Sequence, residues 1–265
     1  MKNILVPVGT STNARSHLKY AVDFAKDFGA KIYLVQIYNV YTKAGTFIKV
    51  DDIIIRKSME FLNGHVASVD TRGVDIEVKT FKGDVVDIME SICDVLAIDL
   101  IILEPRTNSI KDEVYLGKDS GRIIKRTQIP ALIVPEGFVF KPMISILVAL
   151  KTAVVRKEGV FKPLKEIKEQ FNSVVNLLLV KTPIFKTGDF DLPEALEQLI
   201  TKQDETVNPT TFQGVLERYQ SYDPDLLCVV RRKRGFFSKL WEGDAVLKKD
   251  FYARSMPVLV LRGLK

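Results

Sequence analysis

Two short stretches of this chain have the composition of an anion site. Gly117-Lys118-Asp119-Ser120 sets a permissive glycine and a cation just ahead of a short helical pattern. At a helix start the first backbone N–H groups lack intrahelical acceptors and the macrodipole favours negative charge, so a phosphate or carboxylate suits the place. Gly9-Thr10-Ser11 has the same character after the first apolar strand, with Ser11 or Thr12 as a candidate N-cap. Both stretches also read simply as capped helix starts. Gly117-Lys118-Asp119-Ser120 is not a P-loop, because Asp112 stands five positions before Gly117 where that motif needs glycine.

A third group is basic. Arg231-Arg232-Lys233-Arg234 lies beside Phe236, Phe237 and Trp241, a mixture able to meet phosphates and stack on bases. The competing role is a solvated charge run whose aromatics cover strand ends or dock a protein partner. One short run lacks the extended footprint of a nucleic-acid-binding domain, which weighs against nucleic acid. His17 and His65 have no ligand-type neighbours at metal spacing, so a surface or half-buried role is expected of them and no metal site is expected. Ser11 lacks a base partner, and Cys93 and Cys228 lie in apolar segments as core thiols. Nothing assembles an acid, a base and a nucleophile, so no catalytic residue is assigned.

These residues must be positioned by strands and helices. Short β-branched runs predict strands at 3–8, 31–37, 75–81, 99–104 and 131–134, with apolar residues at helical spacing between them. The predicted helices span 12–28, 50–69, 84–96 and 121–127. Strand–helix alternation implies right-handed crossovers and a parallel sheet covered on both faces. Ligands of such sheets sit at the carboxyl ends of the strands, where Gly9–Thr12 and Glu104–Gly121 leave theirs.

The plan then repeats. ILVPV at Ile4 is echoed by ILVAL at Ile146, DLIIL at Asp99 by DLLCV at Asp225, and IPALIV at Ile129 by MPVLVL at Met256. FKG at Phe81 and FQG at Phe212 supply a further echo, and the second copy is shorter, chiefly in its middle. Second-copy strands are expected at 144–150, 174–180, 206–212, 225–230 and 258–261, with helices at 161–171, 193–202 and 214–219. Two domains follow, 1–138 and 139–265, each large enough for its own core.

The 265 residues are 46% hydrophobic and 27% charged, as in an ordinary soluble protein, and the net charge of +6 permits an anionic partner without demanding one. Two distant cysteines exclude a disulfide framework, and no long apolar stretch or leader pattern is found, so a cytoplasmic protein is expected.

The strand at Ile4–Val8, Gly83-Asp84, Asp99-Leu100-Ile101-Ile102, Leu116-Gly117 and Ile129-Pro130 together resemble the universal stress protein family, and the second copy resembles a divergent repeat of it. The resemblance implies two doubly wound, five-stranded parallel sheets of flavodoxin-like or Rossmann-like order 3-2-1-4-5. It also implies an intramolecular pseudo-dimer paired through Ala131–Val134 and Val258–Leu261, and a non-enzymatic role in stress survival. ATP-binding members carry an Asp after the first strand and three spaced glycines, the last followed by Ser or Thr, after the fourth. Here those positions are Gly9, Glu104, Thr107 and Gly117-Lys118 in the first copy, and Lys151, Val230, Lys233 and Gly243-Asp244 in the second. The nucleotide pattern is therefore degenerate, and no cofactor is assigned. The alternatives are an ATP, AMP or small-anion sensor built on Gly9, Thr10, Ser11, Gly117, Lys118, Asp119 and Ser120, and an anionic partner held by Arg231, Arg232, Lys233 and Arg234. Weak ATP hydrolysis ranks last, and the sequence leaves a further homodimer open.

Overall fold

The computed structural model describes residues 1–9, 13–38, 50–104, 123–124, 127–155, 158–231 and 256–262. The chain divides into two compact units: residues 1–109, 116–129 and 136–140 form one, and 110–115, 130–135 and 141–265 form the other.

Unit 1 contains β1 (Asn3–Pro7), α1 (Ala14–Phe28), β2 (Lys31–Tyr38), α2 (Val50–Ala67), β3 (Ile76–Lys82), α3 (Val85–Val95) and β4 (Leu100–Leu103). Its strands lie in the order β3-β2-β1-β4, all parallel. All four residues of β4 are buried, as expected of a central strand covered on both faces. The apolar face of α1, including Leu18, Ala21, Val22 and Ala25, is buried, and Gly29 ends the helix in the left-handed conformation.

Unit 2 contains β5 (Ala131–Ile133), β6 (Ser145–Leu150), α4 (Lys162–Phe171), β7 (Val174–Lys181), α5 (Glu194–Glu197), β8 (Lys202–Val207), α6 (Thr211–Tyr222), β9 (Leu226–Arg231) and β10 (Val258–Arg262). The order is β5-β10-β9-β6-β7-β8, parallel except that β5 runs antiparallel to β10 through Ala131–Val260 and Ile133–Val258. The two last strands named by the resemblance do pair. Yet β5, sequentially the end of the first copy, belongs by its contacts to unit 2, so the division into two five-stranded sheets is not reproduced within these units.

The repeated Asp has one structural job in both copies. Asp99 Oδ2 accepts from the backbone N–H of Lys2 (2.6 Å) and Asn3 (3.1 Å), while Asp225 Oδ2 accepts from Ile144 (3.0 Å) and Ser145 (2.9 Å). Each carboxylate thus satisfies the amides that open the central strand. Asn3 Nδ2 donates to Leu96 and Ala97 carbonyls, and Ser145 Oγ donates to that of Tyr222, tying the same strand to the preceding helix end. Even the strained positions correspond. Left-handed Gly29 and Ala97 in the first copy match Asn172 and Asp223 in the second.

Register corrects two sequence expectations. Tyr33 pairs with Glu77 and Asn176 with Lys202, so equivalent residues are 143 apart at the second strand but 125 apart at the third. The counterpart of Gly83 is therefore Asn208; Gly83 N–H donates to Tyr38 O and Asn208 N–H to Lys181 O. The FKG and FQG tripeptides are not equivalent. Nor is 206–212 a strand throughout: β8 ends at Val207, Pro209 interrupts the chain, and Thr210 caps α6 by accepting from Gln213 N–H at 3.2 Å. A strand as polar as Lys-Gln-Asp-Glu-Thr-Val has no β-branched run to reveal it, and its charge suits a sheet edge. The expected helix at 193–202 is one short turn, and that at 214–219 extends over 211–222.

Candidate functional site

In unit 1 the carboxyl ends of β1 and β4 place Gly9 and Glu104. Gly9 follows Val8, whose N–H donates to Val35 O at 2.8 Å, and is half-buried. Glu104 is half-buried directly after the fully buried β4, so a carboxylate stands at the carboxyl end of that strand. Thr10, Ser11, Gly117, Lys118, Asp119 and Ser120 lie outside the described residues, and so do the helix expected at 121–127 in all but Ile123, Ile124 and Thr127, and Arg232, Lys233 and Arg234.

Against β4 lies His17, for which a surface or half-buried role was expected and which is instead buried. Its Nε2 is 3.4 Å from Ile102 O on β4, and its Nδ1 has no hydrogen-bond partner. Burial pushes its imidazole pKa down to about 4, so the ring is neutral near pH 7. The apolar spacing of α1 contained this signal, since His17 lies on the same helical face as Leu18 and Ala21. His65 is half-buried with its ring edge-on to Phe61 at 4.4 Å. Burial also raises both thiol pKa values, Cys93 to about 12 and Cys228 further, which leaves neither thiol nucleophilic. Among the described residues no group of His, Cys, Asp or Glu is placed to hold a metal.

The corresponding end of unit 2 is differently furnished. Lys151 occupies the counterpart of Gly9, and Val230, buried at the end of β9, that of Glu104. Ala153 N–H donates to Asp189 O at 2.6 Å, so the segment between β7 and α5 crosses the end of β6. Phe185 and Phe190 pair within that segment at 4.7 Å, with Lys181 Nζ 4.8 Å from the Phe185 ring. Arg231 ends β9 in register with Arg262 on β10; burial first and Arg262 second lower its pKa to about 10. A cation so placed is electrostatically suited to an anion.

The family model for the universal stress protein family matches residues 1–135, half of the chain. This chain belongs to the universal stress protein family. A universal stress protein of Methanocaldococcus jannaschii is 22% identical over 140 residues, covering 51% of this chain and 82% of that protein. Among solved structures, a universal stress protein from Archaeoglobus fulgidus matches with a TM-score of 0.69 at 20% identity, covering 98% of this chain and 96% of that one. A functionally unknown protein of Pseudomonas aeruginosa matches with a TM-score of 0.56 at 13% identity, covering 99% and 93%. At such identities the structural matches show the fold alone. Among the described residues no helix of this universal stress protein is long and apolar enough to cross a membrane.

One feature escaped sequence reasoning. A cavity of about 380 Å³ in unit 2 is lined by Val160, Phe161, Lys162, Lys165, Pro193 and Leu199 among others. Its signal was the shortened middle of the second copy: the 18-residue α2 of unit 1 is answered by the four-residue α5.

Proposed function

We propose that this chain is a tandem universal stress protein, with domains divided near residue 138, that works in the cytoplasm by binding rather than by catalysis. Its nucleotide loops are degenerate. The observation that carries this reading is the chemistry at the strand ends. Glu104 puts a carboxylate where close backbone approach to phosphate would need glycine, and the segment held by the Ala153–Asp189 bond crosses the matching end in unit 2. Coulomb repulsion between Glu104 and a triphosphate opposes ordinary ATP binding. The protein then acts as a stable scaffold whose surface is read by a partner.

Isothermal titration with ATP and AMP at millimolar concentration tests the reading. No saturable heat is expected. Saturable one-to-one binding, abolished by Lys118→Glu, would establish the sensor alternative instead. The desolvated Arg231, in register with Arg262, favours a second reading in which the adjoining segment Arg232, Lys233, Arg234 meets an anionic partner. That reading predicts steeply salt-dependent association. Absence of any complex with DNA or RNA at low salt would remove nucleic acid as that partner.

A further inference from the structure

The cavity in unit 2, lined in part by Val155 from the segment that follows β6, has a defined chemistry. Val160, Phe161 and Leu199 form a buried apolar floor, each less than 10% exposed, and Val155, Pro193 and Ala195 complete the apolar wall. Lys162 and Lys165 line the cavity from the first turn of α4, and Glu158 is the one acidic residue among the described residues that line it. The floor is held in place, because Lys168 Nζ donates to Leu199 O at 2.7 Å and so ties α4 to the chain just after α5. Gly159, at φ +70°, turns the chain into α4, and Lys162 N–H donates back to its carbonyl at 3.1 Å.

Size and charge define the occupant. The volume falls in the lower part of the roughly 300–1,000 Å³ range of small-molecule pockets. Lys162 and Lys165 meet Glu166 and Glu169 at 3.9 and 3.8 Å, each ammonium more than half exposed. Pairs this long on largely exposed lysines are weak, so a carboxylate can compete for either ammonium. A neutral apolar molecule would leave the lysines unused, and a nucleotide would set its polar sugar against Phe161 and Leu199.

We infer that this cavity binds a small amphipathic carboxylate, its apolar body on Val160, Phe161 and Leu199 and its anionic head between Lys162 and Lys165. The site arises from the loss of a full second helix in this copy.

Titration of the isotope-labelled full chain with decanoate, followed by NMR of Val and Leu methyl groups, tests the inference. Saturable one-site binding below the micelle threshold is expected, with the largest shifts at Val155, Val160 and Leu199. The double variant Lys162→Glu, Lys165→Glu should weaken decanoate at least tenfold while changing affinity for neutral decanol less than twofold. Ala195→Trp, an exposed replacement at the mouth, should abolish binding of both. No saturable decanoate binding, shifts centred elsewhere, decanoate affinity indifferent to the charge reversal, or full binding by Ala195→Trp would each overturn it.

Discussion

The two copies agree in their strands and part company in one helix. Between the second and third strands, unit 1 has the five-turn α2, whereas unit 2 has the single turn of α5 after a segment that crosses a strand end. Yet Asp99 and Asp225 cap the same amides, and left-handed residues recur at equivalent helix ends. The lesson is physical. A parallel sheet fixes every backbone group of its central strands, so substitution there is constrained. A covering helix need only keep apolar surface buried, and it can shrink if something else covers the sheet.

The largest expected asymmetry concerns pH. His17 is neutral and buried in unit 1, and its counterpart by chain offset in unit 2, Val160, cannot titrate. Because the folded pKa of about 4 lies below the unfolded 6.5, the unfolded chain binds the proton first as pH falls. The stability this contributes is fully present above pH 6.5 and is lost by about pH 4, a change of about 3 kcal/mol. Urea titrations read by hydrogen exchange should show β1 losing protection over that window while β6 does not, and His17→Gln should flatten the β1 response. Equal losses in both strands would break the asymmetry.

A smaller effect tests the equivalence itself. Asp99→Ala and Asp225→Ala each leave two strand-opening amides without their carboxylate and should each cost about 2 kcal/mol. The loss should register in β1 and β2 for the first variant and in β6 and β7 for the second. A neutral result for one alone would show that the repeated Asp does different work in the two copies.

The smallest effects separate the helices. A Cβ on Gly214 in α6 would lie 2.8 Å from Val180 Cγ2 and 3.1 Å from Thr206 Cγ2, so Gly214→Ala should destabilise by about 1 kcal/mol despite better helix propensity. Gly64 in α2 has open space around it, and Gly64→Ala should stabilise by about 0.5–1 kcal/mol. Thermal melts of the two variants would check the opposite signs.

Much of this is legible in the amino-acid sequence. The apolar strands, the Asp that opens the fourth, and helix α1 with its Gly29 stop all follow from patterning that burial enforces. The polar edge strand β8 was not legible, because its stability comes from pairing with β7 and from side-chain bonds such as Lys202–Asp204 and Tyr222–Asp204. The candidate anion loops were legible as composition only, and of their residues Gly9 alone is described. The cavity was signalled only by the shortened middle of the second copy. It exists because distant segments, Val155–Lys165 and Pro193–Leu199, meet around space left by a missing helix.

The claim on which the functional reading rests is that neither copy retains a nucleotide at its strand ends. A crystal structure of the full chain purified without added nucleotide tests it most directly. No nucleotide density is expected beside Gly9 and Glu104 or beside Lys151 and Val230. An adenine nucleotide bound at either place, with its phosphates against Gly117 or Gly243, would contradict it.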